Sequence, residues 1–393
     1  MAANKGSLPD PSLSAGYYAD SVAGGERVRA YVPPPLSATL VDQLGTDSCD
    51  LMERANRALG RLDGVSQLFS DPSLFIYFYV RKEAVLSSQI EGTQSSLSDL
   101  LLFESEEQPG VPIDDVEEVS NYVRAMNHGL SRLHNDGFPL SLRLLREIHA
   151  VLLSGARGSD KTPGEFRRSQ NWIGGSRPGN ATFVPPPPNL LPQLLSDLEE
   201  FLHEPGVPVL LKAAFAHVQF ESIHPFLDGN GRLGRLLITF LLCSQEVLIE
   251  PLLYLSLYFK THRDQYYDLL QRVRLSGEWS EWVRFFLEGV RETSQQAFQT
   301  ARRIIDITDE DRRSIESAGR RRGSMLQIHD AFRKRPIMSA GDVAKSTQLT
   351  TPTVNSCVET LTEMGLIKEI TGRKRDRLFL YDRYFSTLDH GVG

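Results

Sequence analysis

Residues 224–235 read His224-Pro225-Phe226-Leu227-Asp228-Gly229-Asn230-Gly231-Arg232-Leu233-Gly234-Arg235. Helical spacing precedes this stretch, in Leu211, Ala214, Phe215 and Val218, and another helical pattern continues to Cys243. The stretch is therefore a loop that feeds a helix N-terminus. Gly229-Asn230-Gly231 can take the backbone angles of an anion-cradling nest, and the helix start adds partial positive charge. Arg232 and Arg235 are three residues apart and share one face of the first turn. With Leu233 and Gly234 between them, these residues make a polyphosphate seat. Asp228 beside it is a hard oxygen donor suited to a magnesium ion bridging phosphates. His224 is a proton acceptor at the edge of the same seat.

Composition sets the frame around this site. The chain has 393 residues, 40% hydrophobic and 24% charged, which describes an ordinary globular protein of two to three domains. Whole-chain disorder, collagen and coiled coil need a different composition. The longest apolar runs, such as Leu236 to Cys243, are far shorter than the ~20 residues that span a bilayer. No membrane partner is expected. Residues 1–30 lack an apolar core, so no secretory leader is read. Cys49, Cys243 and Cys357 are too few for a disulfide framework or a cysteine zinc site, and a reducing cytoplasm is expected. The net charge is −7, yet residues 319–385 hold 13 Lys/Arg against 7 Asp/Glu, a net of +6. Two modules with different partners follow from that asymmetry.

Residues 1–35 are rich in Gly, Pro and Ser and read as an irregular arm. Helical spacing runs from Ser37 to about Leu101, with Tyr79, Val80, Glu83, Leu86, Ser87 and Ile90 along one face. Asp114 or Asp115 is the expected cap of a helix through Tyr122 and Met126, and Ser141 caps another carrying Leu144, Leu145, Ile148 and Val151. Residues 155–189 are Gly- and Pro-rich, with a short hairpin expected around Asn171 to Val184. So long an irregular excursion is usually functional. Helices are expected again at 190–203, 210–220, 231–243, 254–274 and 281–303, with Trp279, Trp282, Phe285 and Phe286 as a core stripe. From Ser324 the order is helix 325–333, helix 339–346, helix 351–364 and strands 367–371 and 378–381 around a basic turn. That order is the winged-helix order.

Gly229, Gly231 and Gly234 also satisfy G-x-G-x-x-G, but a dinucleotide fingerprint must follow a strand, and a helix precedes this one. No Walker A or H-E-x-x-H pattern occurs. Instead HPFLDGNGRLGR matches the Fic family motif H-P-F-x-[D/E]-G-N-G-R-x-x-R at every specified position. The resemblance implies transfer of AMP from ATP to a hydroxyl side chain of a protein, with release of pyrophosphate. It makes His224 the base and Asp228 the magnesium ligand. Gly229, Asn230 and Gly231 would seat the phosphates, with the Asn230 side-chain amide also serving them. Arg232 would support the phosphates and Arg235 would contact the γ-phosphate. His217 reads as a packed helix histidine.

Ser87-Ser88-Gln89-Ile90-Glu91-Gly92 fits the same family's inhibitory-helix motif [S/T]-x-x-x-E-[G/N]. By that resemblance Glu91 would occupy Arg235, the cation the γ-phosphate needs. Read blandly, the hexad is a helix end with a surface acid and a glycine stop. Asn171-Trp172-Ile173-Gly174-Gly175 through Val184 resembles the family's flap, which aligns a target segment by strand addition. Thr162 to Arg167 resembles the lead into that flap and is assigned no chemistry. Tyr266 and Tyr267 fall where family members approach the adenine.

The expected fold is mainly α: a helical Fic core with a short β-hairpin flap, plus a small C-terminal winged-helix domain. Its domains are the arm at 1–35, a helical region with the inhibitory motif at 36–105, the catalytic core at 106–303 and the winged helix at 320–385. The expected function is an autoinhibited protein adenylyltransferase using ATP and Mg2+. A de-AMPylating hydrolase on the same site and a nucleotide-sensing transcription regulator are the alternatives. A hydroxyl-bearing protein is the expected partner, the chain itself included. A homodimer and DNA, through residues 320–385, remain open as further partners.

Overall fold

The structure, a computed structural model, describes residues 16–69, 72–104, 110–155, 158–319, 321–373 and 376–389. Two strands come first, β1 (Tyr17–Ala23) and β2 (Glu26–Val32). Helices α1 (Thr46–Ser66), α2 (Ser73–Ile90), α3 (Leu97–Glu104), α4 (Ile113–His134) and α5 (Leu142–Leu152) follow. After an irregular stretch come α6 (Leu191–His203), α7 (Val209–Ile223), α8 (Asn230–Ser244), α9 (Ser256–Thr261), α10 (Arg263–Ser276) and α11 (Trp279–Glu316). The C-terminal elements are α12 (Arg322–Lys334), β3 (Ile337–Ser339), α13 (Ala340–Thr347), α14 (Thr351–Glu363), β4 (Lys368–Glu369), β5 (Leu378–Leu380) and α15 (Asp382–Asp389). The chain is thus mainly α with small antiparallel sheets, as its periodicity implies. Among the described residues no helix is long and apolar enough to cross a membrane.

The chain divides into two compact units. The first comprises Met1–Arg54, Ala125–Gln245 and Thr261–Gly289. At its centre α7 and α8 pack side by side, and every residue of α7 from Leu210 to Ile223 is buried. A helix buried on all sides belongs to a core, and here the burial takes in Lys212, His217, Gln219 and Glu221 as well as the apolar residues. The close approach is set by Gly234, where a Cβ would lie 2.6 Å from Glu221 Oε1 and 3.3 Å from Phe220. Ser141 caps α5 by accepting the Leu144 N–H, as its place before the apolar stripe suggests. Trp279, Trp282, Phe285 and Phe286 are all buried.

The arm expected at residues 1–35 is not irregular where it is described. Strands β1 and β2 pair antiparallel from Tyr17↔Val32 to Ala23↔Glu26. Gly24 and Gly25, at φ +51° and +82°, make the two-residue turn that suits a hairpin. The glycine content that suggested an arm is in part this turn, while Val28, Ala30 and Val32 alternate inward. The single helix expected over 254–274 is interrupted at His262, whose φ −112° and ψ +39° are not helical.

The second unit comprises Ala55–Arg124, Glu246–Lys260 and Val290–Gly393. Helix α11 continues past the expected end at Arg303, because Ala301, Ile304, Ile307, Asp311 and Ile315 extend one buried stripe. Helix α2 is buried nearly all round. Its Glu83 bonds to Ser256, and Phe78 packs 5.6 Å from Tyr384. The Lys82 ammonium donates to Leu388 O at 3.0 Å, near the end of α15 where a cation is favoured. In the C-terminal segment, helices α12 to α14 lie close to their expected spans. Strand β3, which the sequence reading lacked, pairs with β5 to give the order β3-β5-β4. A buried chain of hydrogen bonds, His329 Nε2 to Tyr381 Oη at 3.0 Å and Tyr381 Oη to Asp311 at 2.7 Å, ties this segment to α11.

Candidate active site

The motif loop lies in the first unit. His224 ends α7 in the left-handed region, at φ +48° and ψ +61°, with its N–H bonded to Phe220 O at 2.9 Å. Histidine is one of the few side chains that tolerate this conformation. Pro225 to Gly229 then turn the chain into α8. Asn230 closes the loop on itself, accepting the Phe226 N–H and donating to Phe226 O, both at 2.9 Å. The Asn230 amide, expected to serve phosphates, is thereby committed to the loop, and only its backbone remains at the helix start. Gly229 stands at φ +75°, and a Cβ there would meet Leu153 at 3.3 Å and His149 at 3.5 Å. Both conformation and space select glycine.

Two of the charged residues, Asp228 and Arg232, face each other at a spacing of four. Asp228 Oδ1 accepts the Gly229 N–H at 2.6 Å and lies 3.6 Å from Arg232 Nη2. Arg232 and Arg235 are both buried, each 3% exposed. Leu233 and Gly234, by contrast, serve packing: Leu233 is fully buried and Gly234 lies against α7. Tyr266 is likewise in the core, its hydroxyl 2.8 Å from His217 Nε2, whereas Tyr267 is exposed. The segment expected as a hairpin is narrower than that, a single bridge between Ile173 and Phe183. Gly174 and Gly175, at φ +68° and +72°, turn it back, and Trp172 beside them is 37% exposed. Asn171 Nδ2 donates to Phe226 O at 3.1 Å and joins this segment to the motif loop.

Two residues of the site carry no local signal in the sequence. His149, on the apolar face of α5, accepts the Gly164 N–H at Nδ1, 2.8 Å, so its Nε2 holds the proton and donates to Asp228 O at 3.0 Å. Its ring stacks on Phe226 at 3.7 Å. Arg167, to which the sequence assigned no chemistry, is 2% exposed and donates from Nε to His224 O at 2.9 Å. Tertiary contact alone reveals either role. In the second unit Ser87 is buried within α2. Glu91 is the exposed C-cap of that helix, followed by Gly92 at φ +101°.

Burial holds three histidines neutral. It pushes His149 down to about 4, His217 to about 3 and, in the second unit, His329 to about 4, from an ordinary value of 6.5. Below pH 6.5 the unfolded chain takes up protons that the folded chain refuses, so stability falls as pH falls. The expected loss is about 1 kcal/mol per pH unit for each histidine between pH 6.5 and 4, with none from these groups above pH 6.5. Urea midpoints measured at pH 7, 6 and 5 test this. A flat midpoint across that window would contradict it.

Among the described residues no three His, Cys, Asp or Glu side chains gather as a metal cluster. A single carboxylate beside a phosphate seat nevertheless fits magnesium, which is commonly held by one or two carboxylates with substrate phosphates and water. The protein so defined is a helical one in which His224 and the N-terminus of α8 share one short loop. Residues 49–131 match the Fic/DOC family N-terminal model and residues 139–242 the Fic/DOC family model, so the chain carries a Fic N-terminal and a Fic domain.

It is similar to the protein adenylyltransferase Fic of Aedes aegypti, 35% identical over 191 residues, covering 47% of this chain and 34% of that one. The protein adenylyltransferase Fic of Culex quinquefasciatus is 33% identical over 212 residues, covering 52% and 39%. The chain thus spans well under half the length of these curated relatives. In fold it resembles a Fic family protein from Desulfovibrio desulfuricans G20, with TM-score 0.60, 19% identity and coverage of 89% and 98%. It also resembles a Fic domain containing signaling protein from Bacteroides thetaiotaomicron VPI-5482, with TM-score 0.51, 17% identity and coverage of 63% and 97%.

Proposed function

We propose that this protein transfers AMP from ATP to a Tyr, Ser or Thr hydroxyl of a protein and releases pyrophosphate. The observation that carries the reading is the short pinned loop that has His224 at one end and the N-terminus of α8 at the other. Backbone N–H groups at a helix start, with Arg232 and Arg235 on the same turn, are what a polyphosphate requires. The His224 imidazole takes the proton of the target hydroxyl. The freed oxygen bonds to the α-phosphorus, and the bond from that phosphorus to the bridging oxygen breaks, so pyrophosphate leaves with the electron pair. Asp228 would hold Mg2+, which when bound neutralises phosphate charge. The flap beside the motif loop would align the target segment by strand addition, with the Ile173 N–H and C=O themselves taken by the bridge to Phe183.

The test is transfer of label from α-labelled ATP to protein in the presence of magnesium. An unlabelled protein, in a variant freed of the proposed restraint at Glu91, would overturn the reading. Asp228→Ala is expected to lose the magnesium dependence of ATP binding, since alanine offers no oxygen to a hard cation. Calorimetry with and without magnesium checks this, and equal dependence in both proteins would remove Asp228 as ligand.

Glu91 is in this proposal an inhibitor that competes with the γ-phosphate for Arg235. In this proposal residues 320–385 form a winged-helix-like domain, a reading supported by the order of α12, β3, α13, α14, β4 and β5. DNA suits its basic turn, but exposed Glu359 and Glu363 on α14 would face phosphate unfavourably.

A further inference from the structure

Helix α7 ends on His224 with its last carbonyls aimed away from any continuing helix, and that end carries partial negative charge. Two buried arginines meet it. Arg274, 9% exposed, donates from Nη2 to Glu221 O at 3.2 Å and from Nε to Ser222 Oγ at 3.1 Å. Arg167 donates from Nη2 to Ile223 O at 3.4 Å as well as from Nε to His224 O, and its own N–H reaches Pro225 O at 2.9 Å.

The same two side chains grip the flap. Arg167 Nη2 also donates to Pro186 O at 2.6 Å and Nη1 to Ser169 O at 3.3 Å. The Arg274 guanidinium lies over the Phe183 ring at 3.9 Å, and Phe183 is the partner of Ile173 across the bridge. Among the described residues no carboxylate pairs with Arg167, so its buried charge rests on carbonyl oxygens alone. Burial lowers it to about 10, which leaves it charged at neutral pH. A buried cation so placed is costly unless every donor is used. Here the donors span both flap stems and the end of α7, and a Lys has neither the reach nor the fork to replace them.

We propose that Arg167 and Arg274 are positioning residues that join the flap and the His224 backbone into one rigid piece, so that the target segment and the base keep a fixed register. The proposal rests on the reading of His224 as base and of the flap as target rail. Neither arginine is part of the phosphate seat, so ATP affinity is not expected to depend on them.

Arg167→Met, Arg167→Lys and Arg274→Met are compared by hydrogen exchange, nucleotide calorimetry and AMP-transfer kinetics in the full chain. Each Met variant is expected to speed exchange of residues 171–184 and 222–228 together. Turnover is expected to fall by about tenfold, the worth of one charge-assisted hydrogen bond, at unchanged ATP affinity. Arg167→Lys is expected to restore little of that loss. Should Arg167→Met fail to fold, Arg274→Met alone decides. Faster exchange confined to one segment, or unchanged turnover in a folded variant, would overturn the proposal. A chain in which no protein transfers AMP defeats the functional reading instead, and the exchange result still decides whether the two segments are joined.

Discussion

Replacing His224 with alanine is expected to lower AMP transfer by about 10²–10⁴-fold, the usual worth of a positioned general base. The backbone at this point is held independently of the imidazole, through the carbonyl that accepts from Arg167 and the N–H bonded to Phe220. Truncation therefore removes the base without releasing the loop. Alanine in the left-handed region costs at most about 1–2 kcal/mol, a local strain rather than a loss of fold. His224→Asn is the control, because asparagine accepts that conformation readily and is no base at neutral pH. Both variants are expected to bind ATP like the wild type and to label protein weakly. Near-wild-type labelling by either would take His224 out of the mechanism.

Glu91→Gly is expected to raise activity by about 10–100-fold, the range that 1.5–3 kcal/mol of a charge-assisted hydrogen bond corresponds to. Glu91 caps the C-terminal end of α2, where the helix dipole disfavours negative charge. Its removal is therefore not expected to weaken α2, and a glycine is well suited to a helix end. In the proposed mechanism the carboxylate and the γ-phosphate compete for the planar fork of Arg235. Without Glu91 the triphosphate binds with its α-phosphorus aligned for attack. Arg235→Ala in the Glu91→Gly background is expected to abolish the gain. An unchanged rate would mean a bland surface acid. A drop would mean that Glu91 supports the fold or orients a hydrolytic water.

Much of the fold is legible because buried stripes repeat. The Leu144, Leu145, Ile148 stripe of α5 and the Trp279 to Phe286 stripe of α11 are read directly from spacing. Boundaries suffer where two signals overlap. The β1–β2 hairpin was hidden because Gly24-Gly25 reads equally as loose arm and as tight turn until the pairing of Tyr17 with Val32 is seen. The single bridge at Ile173 is a tertiary matter too. The flap segment makes almost no ladder of its own and is shaped by bonds from Asn171, Arg167 and Arg274 to other elements.

By itself the sequence determined the local pattern: a helix that starts within a Gly-Asn-Gly stretch, two arginines in its first turns, an acid and a histidine within twelve residues. These follow from bonds and spacings between near neighbours, which a motif records in full. Only the tertiary structure decided what holds that pattern still. His149 reaches Asp228 across 79 residues and Arg167 reaches His224 across 57. It also turned Asn230 from ligand to clasp and sent Tyr266 into the core against His217. The reason is that a buried polar group must find a partner wherever the packed helices bring one, and that partner's place in the chain leaves no periodic trace.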